Sequence, residues 1–190
     1  MVYFNELRKM EVISADGRVI GTVDDVAITD KWNITGFTVK LDKDVATSLG
    51  KKTPLMSALK LEVGVDQVKS VGDKVVLWKP VNELGEHIKK HEGVDKMGRY
   101  IKMQVLGTGG KVLGQVEDIQ LEPSTWKMPS LSVSLEREVM DNMKMKKPLI
   151  GKGKLSLSMV HVSSIKDYVM LNTDHDGLAR MLESSPVKKS

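Results

Sequence analysis

Among the residues able to do chemistry, Gly107-Thr108-Gly109-Gly110-Lys111 comes closest to a phosphate-binding loop. Such a loop needs a longer glycine-to-lysine spacing and a Ser or Thr after the lysine, so that amides cradle phosphate and a hydroxyl meets the metal. Here Val112 follows Lys111. His87 and His91 stand at i, i+4, on one face of any helix they share, and Asp174-His175-Asp176 offers a second group of donors. Zinc sites use three or four ligands, and neither set completes one. No serine sits in a nucleophile-elbow pattern, and His161 occupies a position that is Gln67 elsewhere in the chain. The acidic pairs Asp24-Asp25 and Glu117-Asp118 would suit acid-base work only if both carboxylates faced one side. Neighbouring strand residues face opposite sides, so the pairs read as caps on the backbone amides of a bend. The expectation is no catalytic residue, no metal, no cofactor and no enzyme.

These comparisons rest on an internal duplication, which sets the whole architecture. Ala15-Asp16-Gly17-Arg18-Val19-Ile20-Gly21-Thr22-Val23-Asp24-Asp25-Val26 recurs as Gly109-Gly110-Lys111-Val112-Leu113-Gly114-Gln115-Val116-Glu117-Asp118-Ile119. Gly17 corresponds to Gly110 with a shift of 93, and Trp32 to Trp126 with a shift of 94, so one residue was inserted between them. The later shift persists through Pro54 and Pro148, Val68 and Val162, and Leu77 and Leu171. The glycine-rich candidate loop is therefore the second copy of an ordinary hairpin turn.

Each copy predicts the same elements. A turn at Ala15-Asp16-Gly17 opens a strand whose apolar positions are Val19, Gly21 and Val23, then Val26 and Ile28. The inward parity flips at Asp24-Asp25, and the second copy flips at Glu117-Asp118, as a β-bulge requires. Alternation resumes in Phe37, Val39, Leu41 and in Leu131, Val133, Leu135. A short helix follows over 44–50, and its counterpart over 138–143. Strands from Leu59 and from Leu155 then lead to closing hairpins at Gly72-Asp73 and Lys166-Asp167. Residues 4–9 read as a lead-in, 80–96 as a charged linker with a short helix, and the tail after Asn172 as one more turn.

The chain of 190 residues has a formal charge of +4, 41% hydrophobic residues and 4% aromatic residues. That balance is too weakly basic for a dedicated nucleic-acid binder and too poor in aromatics for a base-stacking platform. No apolar run reaches the ~20 residues of a membrane span, and no secretory signal is visible. The absence of cysteine fits an intracellular, cytoplasmic setting.

Candidate contact residues follow from the duplication. Trp32 and Trp126 fall in corresponding loops, where each either anchors a partner or folds back to plug its own barrel end. Lys51, Lys52, Lys146 and Lys147, with Lys152 and Lys154, form recurring basic pairs that would meet RNA or acidic lipid if they are not a solvated face. Met140, Met143 and Met145 surround the second short helix and are candidates for an adaptable exposed contact.

The order of hairpin glycine, hydrophobic-Gly-x-Val-acidic-Asp-hydrophobic, short helix and closing hairpin resembles the PRC-barrel fold. Gly21, Asp25, Val68, Asp73 and Leu77 carry the likeness in the first copy, and Gly114, Asp118, Val162, Asp167 and Leu171 in the second. With Gly17 and Gly110 at the turns, these glycines and aspartates are the structural signature. The resemblance implies a mainly β chain: two tandem, small, strongly bent antiparallel β-barrels, each with a short helix, packed with pseudo-two-fold symmetry. The expected divisions are a first barrel over 1–79, a linker over 80–96, a second barrel over 97–172 and a tail over 173–190. It further implies a docking module without catalytic residues, similar to archaeal adaptors of FtsZ-based cell division. The partners would then be division proteins such as SepF, another PRC-barrel protein or a second copy, with recruitment to the division site at the membrane. The competing reading, from the maturation-factor relatives of that fold, is an RNA-processing or ribosome-assembly factor.

Overall fold

The computed structural model describes residues 1–50, 59–84, 95–142 and 153–184. Its first run of elements is β1 (Val2–Tyr3), α1 (Phe4–Leu7), β2 (Glu11–Ile13), β3 (Val19–Ile28), β4 (Ile34–Leu41), α2 (Lys43–Ser48), β5 (Lys60–Gly64), a 3-10 turn (Val65–Gln67), β6 (Val68–Val71), β7 (Val75–Leu77) and α3 (Val81–Leu84). The second run repeats that order closely: β8 (Asp95–Lys96), a 3-10 turn (Met97–Tyr100), β9 (Gln104–Leu106), β10 (Val112–Glu122), β11 (Lys127–Leu135), α4 (Arg137–Asn142), β12 (Lys154–Ser158), a 3-10 turn (Met159–His161), β13 (Val162–Ile165), β14 (Val169–Leu171) and α5 (His175–Ser184). The chain is mainly β, with two seven-stranded sheets and few, short helices.

One sheet is ordered β5-β4-β3-β2-β7-β6 with β8 on β3, and the other β12-β11-β10-β9-β14-β13 with β1 on β10. Most pairings are antiparallel, but β2 runs parallel to β7, and β9 to β14. Closed barrels were the expectation, and here the described strands correct it: no ladder joins β5 to β6 or β12 to β13. The physical reason is the 3-10 turn between those strands, which swings the chain out of ladder register so that covalent chain, not hydrogen bonds, spans the seam.

Two compact units emerge, one of Met1–Arg99 with Gln120–Met128 and the other of Tyr100–Ile119 with Pro129–Ser190. The tip of the β10–β11 hairpin thus counts with the first unit, a partition that the linear divisions of the sequence did not contain.

The parity flip in β3 is a bulge: its register against β4 slips between Val23 and Asp25. Burial follows, with Val23 inside before the slip and Val26 and Ile28 inside after it. In β10, Gly114 and Val116 are buried before Glu117-Asp118 and Ile119 and Leu121 after it. Two details differ from simple alternation. Ile20 and Leu113 are buried beside the glycines, whereas Val19 and Val112 are half-exposed.

The lead-in is core rather than an appendage. Phe4 and Leu7 are buried at 0% and 1% exposure, and their counterparts at a shift of 93, Met97 and Tyr100, at 0% and 3%. Arg8 stacks its guanidinium over the Phe4 ring at 5.5 Å and donates from Nε to the Asp24 carbonyl at 2.8 Å.

Candidate functional site

The signature residues are positioned by the bulges. In the first unit the Asp25 carboxylate accepts the Val26 amide at 2.7 Å and the Gly98 amide at 2.9 Å. In the second unit Asp118 accepts the Ile119 amide at 2.8 Å. Each aspartate thus accepts the amide of the residue that follows it, and Asp25 also holds the turn at Gly98, which is a structural task. Their neighbours pair with lysines across the sheet, Asp24 with Lys60 at 2.7 Å and Glu117 with Lys154 at 2.6 Å. The two carboxylates of each pair therefore hold different partners, a lysine for the first and backbone amides for the second. Gly17 and Gly110 both take φ of +79° in the hairpin turns.

The glycine-rich stretch is a turn as well. Gly107 donates to the Lys111 carbonyl and Gly110 to the Gly107 carbonyl, both at 3.0 Å, and Lys111 pairs with Glu138 at 2.8 Å. Asp174 accepts the Gly177 amide at 2.8 Å, a capping bond at the start of α5. Among the described residues, no three His, Cys, Asp or Glu are grouped to hold a metal ion, and no helix is long and apolar enough to cross a membrane.

Trp32 and Trp126 are half-buried, each at the tip of a hairpin in a left-handed conformation, with φ of 61° and 52°. Both belong to the first unit, and their carbonyls are used reciprocally. Ile34 donates to Trp126 at 2.8 Å, Met128 donates to Trp32 at 3.3 Å, and Asn33 and Lys127 form the bridge between them. The Trp126 ring meets Phe37 edge-on at 5.7 Å. These tips join the two hairpins before they offer anything to a partner.

Met140 requires a correction. It is 3% exposed, and an added Cβ on Gly153 would strike its thioether at 2.6 Å. Its surroundings are core, because Val139 and Met140 both turn inward from the short helix α4. Met143, Met145, Lys51, Lys52, Lys146, Lys147 and Lys152, like His87 and His91, lie outside the described residues. Lys154 is described, and its ammonium is held by Glu117.

The residue that the sequence reading passed over is Trp78. It is 56% exposed, and Lys69 from β6 stands over its ring at 5.3 Å. Alternation carried the signal: Val75 and Leu77 are inward on β7, so Trp78, one step on, faces out. At a shift of 94 its counterpart is Asn172, so the repeated architecture does not require an aromatic residue there. On the same unit lies an open cleft of about 440 Å³, floored by Val2, Met10 and Val71 and rimmed by Glu6, Asp73 and Glu122. Among the described residues its lining side chains carry three carboxylates and no lysine, arginine or histidine.

No curated protein matches the sequence. Residues 1–81, the first run of strands, match the PRC-barrel domain family: a PRC-barrel domain is found over that part of the chain.

Proposed function

We propose that this chain is a non-catalytic protein-interaction adaptor, a tandem of two PRC-barrel modules that pack with pseudo-two-fold symmetry. The recurrence of the whole element order supports the second module, with the expected divisions 1–79, 80–96, 97–172 and 173–190. The observation that carries the adaptor reading is Trp78, a large aromatic side chain left 56% exposed on the PRC-barrel domain with a lysine over its ring. Aromatic residues of this kind anchor interfaces because they bury much area at low entropic cost. Its partner, by the resemblance that the signature residues carry, would be division machinery of the FtsZ and SepF type in an archaeal cytoplasm, at the membrane. RNA draws less support, since Lys60, Lys74, Lys79, Lys96, Lys111 and Lys154 are already paired with carboxylates.

Trp78→Ala is expected to weaken partner binding by about 2 kcal/mol, roughly thirty-fold, while changing stability by less than about 0.5 kcal/mol. Trp126→Ala should do the reverse, lowering stability by about 2 kcal/mol through its lost packing on Phe37. Titration of each variant with the captured partner, beside a urea melt, checks both. Unchanged binding by the Trp78 variant would remove the anchor.

A further inference from the structure

In the first unit the Lys96 ammonium donates to both oxygens of Glu62, at 2.7 and 2.9 Å, and to the Thr38 hydroxyl at 2.5 Å. Thr38 in turn donates to Glu62 at 2.9 Å. Thr38 is 3% exposed and the Glu62 side chain 19%, so the carboxylate depends on these partners more than a surface group would.

The strand that brings Lys96 opens the second repeat yet pairs with the end of β3 in the first, Ala27 opposite Lys96 and Ile28 opposite Asp95. The first repeat's opening strand makes the corresponding exchange, Tyr3 opposite Gln120 and Val2 opposite Leu121 on β10. With the shift of 93, Tyr3 is the counterpart of Lys96. The counterparts of Thr38 and Glu62 are Ser132 and Ser156. The carboxylate and the cation of the first repeat therefore have uncharged residues at the corresponding positions of the sequence, Ser156 for Glu62 and Tyr3 for Lys96.

We propose that Lys96, Glu62 and Thr38 form a matching code that reserves the β3 edge for the chain's own β8 and rejects the β1 strand of a second copy. A second copy seated there in the same register would present Tyr3 and leave Glu62 without its cation. The unpaired charge is the repulsive element that specificity requires. The chain closes on itself at this edge, and a partner must dock elsewhere. This proposal is independent of the adaptor reading, which rests on Trp78.

The absence of cysteine makes the test direct. Ile28→Cys with Asp95→Cys places thiols on directly opposite residues, a separation that suits a disulfide. In the full chain this pair should oxidise within one molecule, giving only a 21.1 kDa species on a non-reducing gel. Adding Lys96→Glu should cut the intrachain yield at least five-fold, and adding Glu62→Lys to that variant should restore it. Mixing the two single charge variants and refolding them together should give a covalent heterodimer, because their charges complement only between chains. Lys96→Tyr with Glu62→Ser, in a chain carrying Ile28→Cys with Val2→Cys instead, should form disulfide-linked dimers as concentration rises, because Val2 is the residue that β1 of a second copy would set opposite Ile28. Undiminished closure in Lys96→Glu, or no disulfide-linked dimer of the uncharged variant at any concentration, overturns the proposal.

Discussion

Gly21→Ala is expected to lower stability by about 4 kcal/mol, measured as the shift in a urea unfolding curve. An alanine Cβ there would lie 2.0 Å from the Lys40 carbonyl oxygen and 3.0 Å from the Leu41 Cα. Both are backbone atoms of β4, which pairs with β3 at Gly21 and Leu41, so neither yields without breaking the ladder. The φ of +151° adds a conformation that L residues rarely adopt. Overpacking and backbone strain each cost about 1–3 kcal/mol, and here they combine. Gly114 is similarly confined, 2.2 Å from the Ser134 carbonyl oxygen. Gly17→Ala provides the control, since nothing lies within 4 Å of its Cβ and only the φ of +79° opposes it. A cost of about 1–2 kcal/mol is expected there. A Gly21 variant no worse than the Gly17 variant would show that the β3–β4 crossing is looser than described.

Phe4→Ala should cost about 3–5 kcal/mol, the range for a large side chain removed from a closed core. Phe4 has no exposed surface, and its ring also supports Arg8, which reaches the bulge carbonyl of Asp24. The result to look for is a lower urea midpoint with an unchanged slope. A loss under about 1 kcal/mol would mean that the opening helix is peripheral, as the sequence alone suggested.

That helix marks where the sequence became hard to read. Phe4 and Leu7 are two apolar residues in a polar stretch, too few for a period, and their counterparts Met97 and Tyr100 differ in chemistry, which hid the repeat. The exchange of β1 and β8 between repeats was equally hidden, because long-range pairing leaves no local pattern. The bulge at Asp24-Asp25, by contrast, was legible, as was the change of buried face at Glu117-Asp118, since a change of side in a period-2 pattern has few other causes. Duplication made the signal stronger, as each copy tested the other. The repeat carries no signal for Trp78, because its counterpart is Asn172 and an aromatic residue stands there in one copy alone. Met140 was misread for a related reason. On a helix of six residues, burial is decided by what packs above it, and the position of Gly153 is invisible in sequence.

The measurement that bears most directly on the adaptor reading is affinity capture of the tagged full chain from its native cells, with and without nuclease, run in parallel with the Trp78→Ala variant. The account predicts a protein partner recovered equally in both nuclease arms, retained through a salt series with modest loss, and missing from the Trp78 variant. Recovery confined to the untreated arm, falling steeply with salt and indifferent to Trp78, would contradict it and identify RNA as what the chain binds.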